Sequence, residues 1–204
     1  HIVDDLLSMH LDMIAFSCYI WNIEYIDKLC HMLRQRQPDI ILALGGPEVT
    51  YEPQYFLEHI PVDYILSGEG EEIFPQLLEA LEKKQDVCLP GVSYRGHISS
   101  TVAVADLKYV ESLDSPYCLP QDQKDMGKRI LYFETSRGCP FQCQYCLSSL
   151  EQGLRFFSED YLKRQLNLIC HSSAKTIKFL DRSFNADANH AIMILDYIFK
   201  HYQE

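Results

Sequence analysis

The sequence contains no uninterrupted apolar run of the roughly 18 residues that a membrane-spanning helix needs. Basic residues are also scarce, because 18 Lys and Arg stand against 29 Asp and Glu, a formal net charge of -11. Such a chain lacks the overall positive field with which proteins attract nucleic acids. Residues 1–5 show no basic segment leading into an apolar stretch, as a secretion signal would. These absences predict a cytoplasmic protein with neither a membrane nor a nucleic-acid partner.

The chain also lacks the two common phosphate-binding motifs, G-x-G-x-x-G and the P-loop. Its first half instead alternates helical patterns with short apolar runs of strand length, at 13–17, 40–44 and 63–66. Continuous apolar runs are typical of parallel strands that helices cover on both faces. The pattern predicts an α/β fold, with part of a doubly wound, flavodoxin-like or Rossmann-like sheet in residues 1–87.

In sheets of this kind, ligands bind beyond the carboxyl ends of the strands. Three loops occupy that edge, and two of them contain glycines that allow a ligand to approach the backbone closely. The candidate ligand-contacting residues are Ser17, Gly45, Gly46, Gly68, Glu69 and Gly70. Glycine after a strand is also ordinary turn chemistry, so an edge without a ligand is the alternative.

A change of pattern divides the rest of the chain. Residues 88–128 show little periodicity and read as a linker, with a possible hairpin around Gly96 between 92–94 and 102–104. Residues 129–204 then repeat strand, helix, strand and helix, the order in which a parallel barrel begins. Ser158 is a candidate cap for the first of these helices, and residues 188–202 carry an apolar stripe at helical spacing.

Eight cysteines are present, and three of them fall within eight residues: Cys139, Cys143 and Cys146, spaced C-x3-C-x2-C. A zinc site usually has four ligands, commonly as two separated pairs, and no second pair follows here. Ferredoxin-type clusters also use four cysteines. Three thiolates therefore indicate a four-iron cluster with one iron open to a substrate, and a zinc site is the alternative.

The segment 135–146, Thr-Ser-Arg-Gly-Cys-Pro-Phe-Gln-Cys-Gln-Tyr-Cys, resembles the radical S-adenosylmethionine enzymes. It is most similar to the branch that carries a cobalamin-binding domain upstream. That branch includes the anaerobic magnesium-protoporphyrin IX monomethyl ester oxidative cyclases and the class B methyltransferases. The first half resembles theirs too, through Gly-Gly-Pro at 45–47 and Gly-Glu-Gly-Glu at 68–71.

This resemblance implies that the three clustered cysteines hold a 4Fe-4S cluster whose open iron binds S-adenosylmethionine. An electron from the cluster would cleave that molecule to a 5′-deoxyadenosyl radical. Tyr145 matches the position associated with the adenine. Where many members carry Gly-Gly-Glu, Asp181 or Asn185 would meet the amino group. The resemblance also implies cobalamin at the glycine loops, a small-molecule substrate and an external one-electron reductant such as flavodoxin or ferredoxin, and it assigns no catalytic residue.

The barrel of such enzymes typically takes more than about 200 residues. We therefore expect a fragment that spans the junction of two domains, with a truncated barrel in 129–204. Such a fragment would be inactive alone and would self-associate through uncovered apolar faces. The Asp-x-His-x-x-Gly string that ligates cobalt in many cobalamin domains is absent from these residues. Either cobalamin would bind without a protein ligand, or the string lies upstream of His1. The alternative function is a non-catalytic corrinoid or small-ligand module followed by a structural metal-binding loop.

Overall fold

The structure is a computed structural model that describes residues 2–150 and 153–202. The chain divides into two compact units, His1–Asp106 and Leu107–Glu204. Within the described ranges, no helix is long and apolar enough to cross a membrane.

The first unit is built around a four-stranded sheet with the strand order β1-β2-β3-β4. Its elements are α1 (Ile2–Ser8), β1 (Met13–Ser17), α2 (Ile23–Arg36), β2 (Ile41–Gly45), α3 (Pro53–His59), β3 (Tyr64–Leu66), α4 (Gly70–Glu82) and β4 (Val92–Tyr94). The first three strands are parallel, which confirms the predicted parallel α/β sheet. Their order does not reverse, so the described strands contain no switch point of a doubly wound sheet.

Both faces of this sheet are covered. On one face, Leu42 and Leu44 pack in a core with Ile26 and Leu33 of α2 and with residues of α1 and α3. On the other face, Ala43 packs in a second core that includes α4. The alternation follows from strand geometry, because successive side chains of β2 point to opposite faces. Helices on both faces explain why these strands are apolar throughout rather than at every second position.

The segment 88–106, inside the expected linker, belongs to the first unit. Residues of β4 pair antiparallel with β3. The turn around Gly96 is present as a bridge between Tyr94 and His97, but the expected second strand at 102–104 does not pair with β4. Ala103 instead forms a bridge with Gly68. The physical reason is that β3 offers β4 a free sheet edge, which satisfies its backbone groups.

The second unit contains a β-α-β-α arrangement. Its elements are α5 (Leu107–Ser112), α6 (Pro120–Gln123), β5 (Ile130–Phe133), β6 (Ser136–Arg137), β7 (Arg155–Phe156), α7 (Glu159–Cys170), β8 (Thr176–Phe179) and α8 (Ala188–His201). Strands β5 and β8 pair in parallel, and β6 and β7 form a short antiparallel pair. The Ser158 side chain accepts a hydrogen bond from the Tyr161 amide, as expected of a helix cap.

The apolar stripe predicted for residues 188–202 is only partly buried. Ala191 and Ile194 are buried, whereas Ile192 is 63% exposed and Phe199 88% exposed. The described residues therefore cover one side of this helix and leave an apolar row uncovered, which explains why the sequence pattern marks more core positions than are buried.

Candidate functional site

The three glycine-bearing or polar loops predicted in the first unit do meet at the carboxyl edge of its sheet. Ser17 lies opposite Gly45, and Gly45 lies opposite Leu66. The loop after β1 is closed by Asn22, whose Oδ1 accepts from the Tyr19 amide at 2.7 Å and whose Nδ2 donates to the Ser17 carbonyl at 2.9 Å. Parallel register thus brings residues far apart in sequence to one edge.

Gly46 and Gly68 adopt a backbone conformation that side chains rarely allow, because each has a φ of 101°. A Cβ on Gly46 would lie 2.7 Å from the Cys18 carbonyl oxygen, and one on Gly68 would lie 2.2 Å from the Ala103 carbonyl oxygen. Only glycine fits at either position. The close approach that these glycines permit is therefore to the backbone of the chain itself.

Thr50 joins two of these loops, and sequence reasoning missed it. Its buried hydroxyl donates to the Gly46 carbonyl at 2.8 Å and accepts from the Gly68 amide at 3.3 Å. The Glu69 carboxylate is also engaged, since it accepts from the Ala105 amide at 2.9 Å. These bonds fix the shape of the edge, and no local sequence signal distinguishes such a threonine from an ordinary loop residue.

Other features of the same edge bear on the binding of a ligand. The Ser67 hydroxyl, in a residue only 2% exposed, finds no hydrogen-bond partner among the described residues. A Cβ on Gly70 would meet open space. The rings of Tyr19 and Trp21 stack with centroids 4.5 Å apart, and Trp21 is 71% exposed. A buried polar group without a partner is costly, and a bound molecule or water that supplies the missing hydrogen bond removes that cost.

The predicted metal ligands lie on one loop of the second unit, which follows β6. Cys139 and Cys143 are half-buried and Cys146 is exposed, and all three thiols are free. The Cys146 amide donates to the Cys143 carbonyl at 3.0 Å, which makes a tight turn between these two cysteines. In the described parts of the chain, no three Cys, His, Asp or Glu side chains converge closely enough to hold one metal ion.

The start of this loop is firmly anchored. Gly138 has a φ of 84°, and a Cβ there would lie 1.8 Å from the Gly153 carbonyl oxygen. The Arg137 guanidinium donates to Glu134 at 3.0 Å and lies over the Phe157 ring at 5.7 Å. Through these contacts Arg137 and Gly138 fix the backbone just before Cys139.

Asp181, expected to contact S-adenosylmethionine, is bonded to the strand that leads into the cysteine loop. Its carboxylate accepts from the hydroxyls of Thr135 and Ser136, each at 2.6 Å. His190 also faces Thr135, with Nε2 at 3.1 Å from the hydroxyl oxygen. Burial lowers the pKa of His190, so the imidazole is neutral at neutral pH. Sequence reasoning did not assign His190, because its partner lies 55 positions away in the chain.

The two other residues expected to contact S-adenosylmethionine lie at the surface. Tyr145 is 93% exposed, and Asn185 is exposed in the segment between β8 and α8. Among the described residues, neither side chain forms a hydrogen bond or an ion pair. Both side chains are therefore accessible to a ligand.

Two further thiols are unsuited to bind metal. Cys18 and Cys30 are fully buried, and burial raises the pKa of each thiol to about 12. Because metals bind the thiolate, these two cysteines are core residues rather than ligands. The contrast leaves the cysteines of the loop at 139–146 as the accessible clustered thiols.

Known proteins resemble this chain both in the first unit and over most of its length. Residues 1–78 match the family model of the B12-binding domain. The cobalamin-dependent radical SAM methyltransferase TokK of Streptomyces tokunonensis is 31% identical over 199 residues, which cover 91% of this chain and 28% of TokK. The chain is a relative of the cobalamin-dependent radical S-adenosylmethionine enzymes. That resemblance, expected from the segment 135–146, is thereby confirmed.

Other relatives show the breadth of this family. The anaerobic magnesium-protoporphyrin IX monomethyl ester cyclase of Synechocystis sp. is 30% identical over 135 residues, which cover 58% of this chain and 25% of the cyclase. The chain thus spans less than a third of the length of TokK or of this cyclase.

A solved structure shows the same fold. The radical S-adenosylmethionine methyltransferase TsrM from Kitasatospora setae, solved with cobalamin and a [4Fe-4S] cluster bound, superposes with a TM-score of 0.75. The match covers 97% of this chain and 42% of TsrM at 15% sequence identity. At this identity the likeness concerns the fold, a mixed α/β architecture with a parallel sheet.

Proposed function

We propose that the chain carries the cobalamin-binding domain and the cluster-binding loop of a cobalamin-dependent radical S-adenosylmethionine methyltransferase. The observation that carries this proposal is one chain with a B12-binding match at residues 1–78 and three free clustered thiols at 139–146. In the proposal, residues 1–87 form the cobalamin-binding part and 88–106 complete its unit. Of the expected linker at 88–128, only 107–128 connect the two parts, and 129–204 begin the radical S-adenosylmethionine barrel.

The chemistry of the cysteine loop fits a 4Fe-4S cluster that Cys139, Cys143 and Cys146 would hold. Thiolates are the ligands that iron–sulfur clusters use, and these three thiols are unpaired and at least partly accessible. The described residues form no site for a single metal ion, but in a 4Fe-4S cluster each cysteine binds a different iron, so the three sulfurs need not converge on one point. A bound cluster would supply the electron that cleaves S-adenosylmethionine. Tyr145 and Asn185 are the proposed contacts to that molecule.

The edge of the first sheet fits a large cofactor. The buried Ser67 hydroxyl would gain a hydrogen-bond partner, and the half-buried ring of Tyr19 and the exposed ring of Trp21 would gain apolar cover. Gly70 leaves open space at the start of α4, and the rigid turns at Gly46 and Gly68 shape the floor. A bound cobalamin would supply the carrier of the methyl group. The enzyme would also need an external one-electron reductant and reduced thiols, which favours a cytoplasmic location.

Anaerobic reconstitution with iron and sulfide tests the cluster. We expect roughly four irons per chain and a visible absorption band for the parent protein. Cys143→Ala should lose most of this iron, whereas Cys88→Ala, which removes an exposed isolated thiol, should retain it. Zinc without colour in the parent, or equal iron in both variants, would contradict the proposal and favour a structural metal-binding loop.

The single tryptophan offers a test of cobalamin binding. Trp21 lies on the exposed loop at the carboxyl edge of the sheet, so a bound corrinoid, which absorbs near-ultraviolet light, should quench its fluorescence. We expect saturable quenching by cobalamin and none by an unrelated absorbing dye at the same absorbance. Quenching that rises linearly for both compounds would contradict a cobalamin site at this edge.

Oxidative cyclisation is the second candidate, because the Synechocystis cyclase is also 30% identical to this chain. S-Adenosylmethionine labelled in its methyl group distinguishes the two reactions in the loaded protein. Transfer of the label to the corrinoid supports the methyltransferase. Cleavage of S-adenosylmethionine with no label on the corrinoid supports the cyclase.

A further inference from the structure

Asp181, the second residue after β8, ties two segments of the second unit together. The Asp181 carboxylate accepts hydrogen bonds from the Thr135 amide at 3.1 and 3.2 Å, and from the hydroxyls of Thr135 and Ser136 at 2.6 Å. A carboxylate offers about four acceptor sites. The chain itself therefore uses most of the capacity of Asp181, and little remains for a ligand.

The groups that donate to Asp181 are buried. Thr135 is fully buried and Ser136 is 4% exposed. Hydrogen bonds to an ionised acceptor are shorter and stronger than neutral ones, and this difference is greatest away from water. Because the Thr135 hydroxyl proton points to Asp181, the nearby His190 Nε2 must donate to the same oxygen. The Thr135 side chain is thus held from two sides.

The strand segment held in this way leads directly to the first clustered cysteine. Only two residues separate Ser136 from Cys139, and one of them, Gly138, packs against the Gly153 backbone. Ser183, two residues beyond Asp181, also lies near Cys139, with its hydroxyl oxygen 3.9 Å from the sulfur. The turn after β8 therefore contacts the cysteine loop both before Cys139 and at its sulfur.

We propose that Asp181 is a positioning residue, which acts through Thr135 and Ser136 to hold Cys139 where the cluster assembles. This inference rests on the proposed cluster, and it replaces the expected contact of Asp181 with S-adenosylmethionine. Partners in the outer shell of a metal site orient its ligands, and their loss typically lowers metal affinity about 10–100-fold. Asp181 thus acts at the end of the loop that carries Cys139, through its hydrogen bonds to Thr135 and Ser136.

The first experiment needs no cluster. Thiol alkylation of the metal-free chain, followed by mass spectrometry, reports how freely each cysteine is exposed. In Asp181→Ala we expect Cys139 to react several-fold faster and the exposed Cys146 to react at its parental rate. Asp196→Ala, which removes an exposed aspartate on α8, should change neither rate. Equal Cys139 rates in Asp181→Ala and the parent would overturn the proposal.

The second experiment measures retention of the cluster without S-adenosylmethionine. After anaerobic reconstitution, the chelator concentration that removes half of the iron should fall about tenfold in Asp181→Ala. The double variant Thr135→Val/Ser136→Ala should show a similar loss, and adding Asp181→Ala to it should change little further. Asp181→Asn keeps one acceptor oxygen and should lie between. If Asp181→Ala does not fold, retention of iron in Asp181→Asn and in the Thr135→Val/Ser136→Ala double variant tests the same proposal.

The outcomes separate this inference from the proposed function. A parent chain that takes up no iron contradicts the cluster, while the alkylation rates still test the contact of Asp181 with the loop. A different result would overturn the positioning role. If the parent binds iron, the Asp181 variants retain it equally well, and S-adenosylmethionine changes the electron paramagnetic resonance spectrum of these variants less than that of the parent, then Asp181 contacts S-adenosylmethionine.

Discussion

Replacing Ser67 by alanine should stabilise the first unit and weaken its binding of cobalamin. The Ser67 hydroxyl is buried and has no partner among the described residues, and an unsatisfied buried polar group costs about 1–3 kcal/mol. Alanine removes that cost but leaves a small gap, so we expect a gain of about 1 kcal/mol. For a unit of this size, that gain raises the melting temperature by about 4–8 °C.

The same change should act in the opposite direction on the ligand. A hydrogen bond between Ser67 and bound cobalamin would contribute about 1 kcal/mol, so its loss should raise the Kd about fivefold. Trp21 fluorescence measures the Kd, and calorimetry of the ligand-free chain measures the melting temperature.

Ser93→Ala is the matched control for this prediction. Ser93 is also a fully buried serine of the same sheet, but its hydroxyl accepts from the Ser99 amide at 3.0 Å, so its loss should destabilise the unit. A lower melting temperature for Ser67→Ala would show that the hydroxyl is satisfied in solution. A higher melting temperature with an unchanged Kd would refute the assignment of Ser67 to the cofactor.

Two further predictions concern the backbone at Gly138 and the buried thiols of Cys18 and Cys30. Gly138→Ala should abolish cluster assembly, because its Cβ would overlap the Gly153 carbonyl, and iron analysis after reconstitution checks this. Thiol labelling at pH 8 should modify Cys146 quickly and leave Cys18 and Cys30 unmodified until the chain unfolds, since burial raises the pKa of both thiols to about 12. In the unfolded chain these thiols lose their protons near pH 9, whereas in the folded chain they keep them. The free energy of unfolding, measured by urea titration, should therefore fall as the pH rises above 9. Rapid labelling of Cys18 in the folded chain would contradict the structure.

The sheet of the first unit could be predicted from sequence because its apolar runs reflect burial on both faces. What lies close to the glycines at its edge could not be predicted in the same way. Gly68 is a predicted ligand contact, and the structure adds a second reason for a glycine there, its close approach to the backbone of Ala103, 35 positions later. Which backbone comes close to a glycine depends on tertiary structure, and local patterns carry no information about it.

The second unit shows the same limit. The spacing of the three cysteines sufficed to identify candidate ligands, because coordination chemistry fixes which side chains can serve. The hydrogen bonds that hold the loop before Cys139 could not be predicted from the sequence. Asp181 looked available for a ligand in the sequence, whereas its partner Thr135 lies 46 positions earlier and becomes visible only once β5 and β8 pair.

In the proposed function, three sulfur ligands hold an iron–sulfur cluster and leave one iron free for S-adenosylmethionine. Electron paramagnetic resonance of the reconstituted, dithionite-reduced chain detects both the cluster and its open iron. We expect a reduced-cluster signal that changes when S-adenosylmethionine is added and that is absent in Cys143→Ala. A signal insensitive to S-adenosylmethionine, or none at all in a protein loaded with zinc, would contradict it.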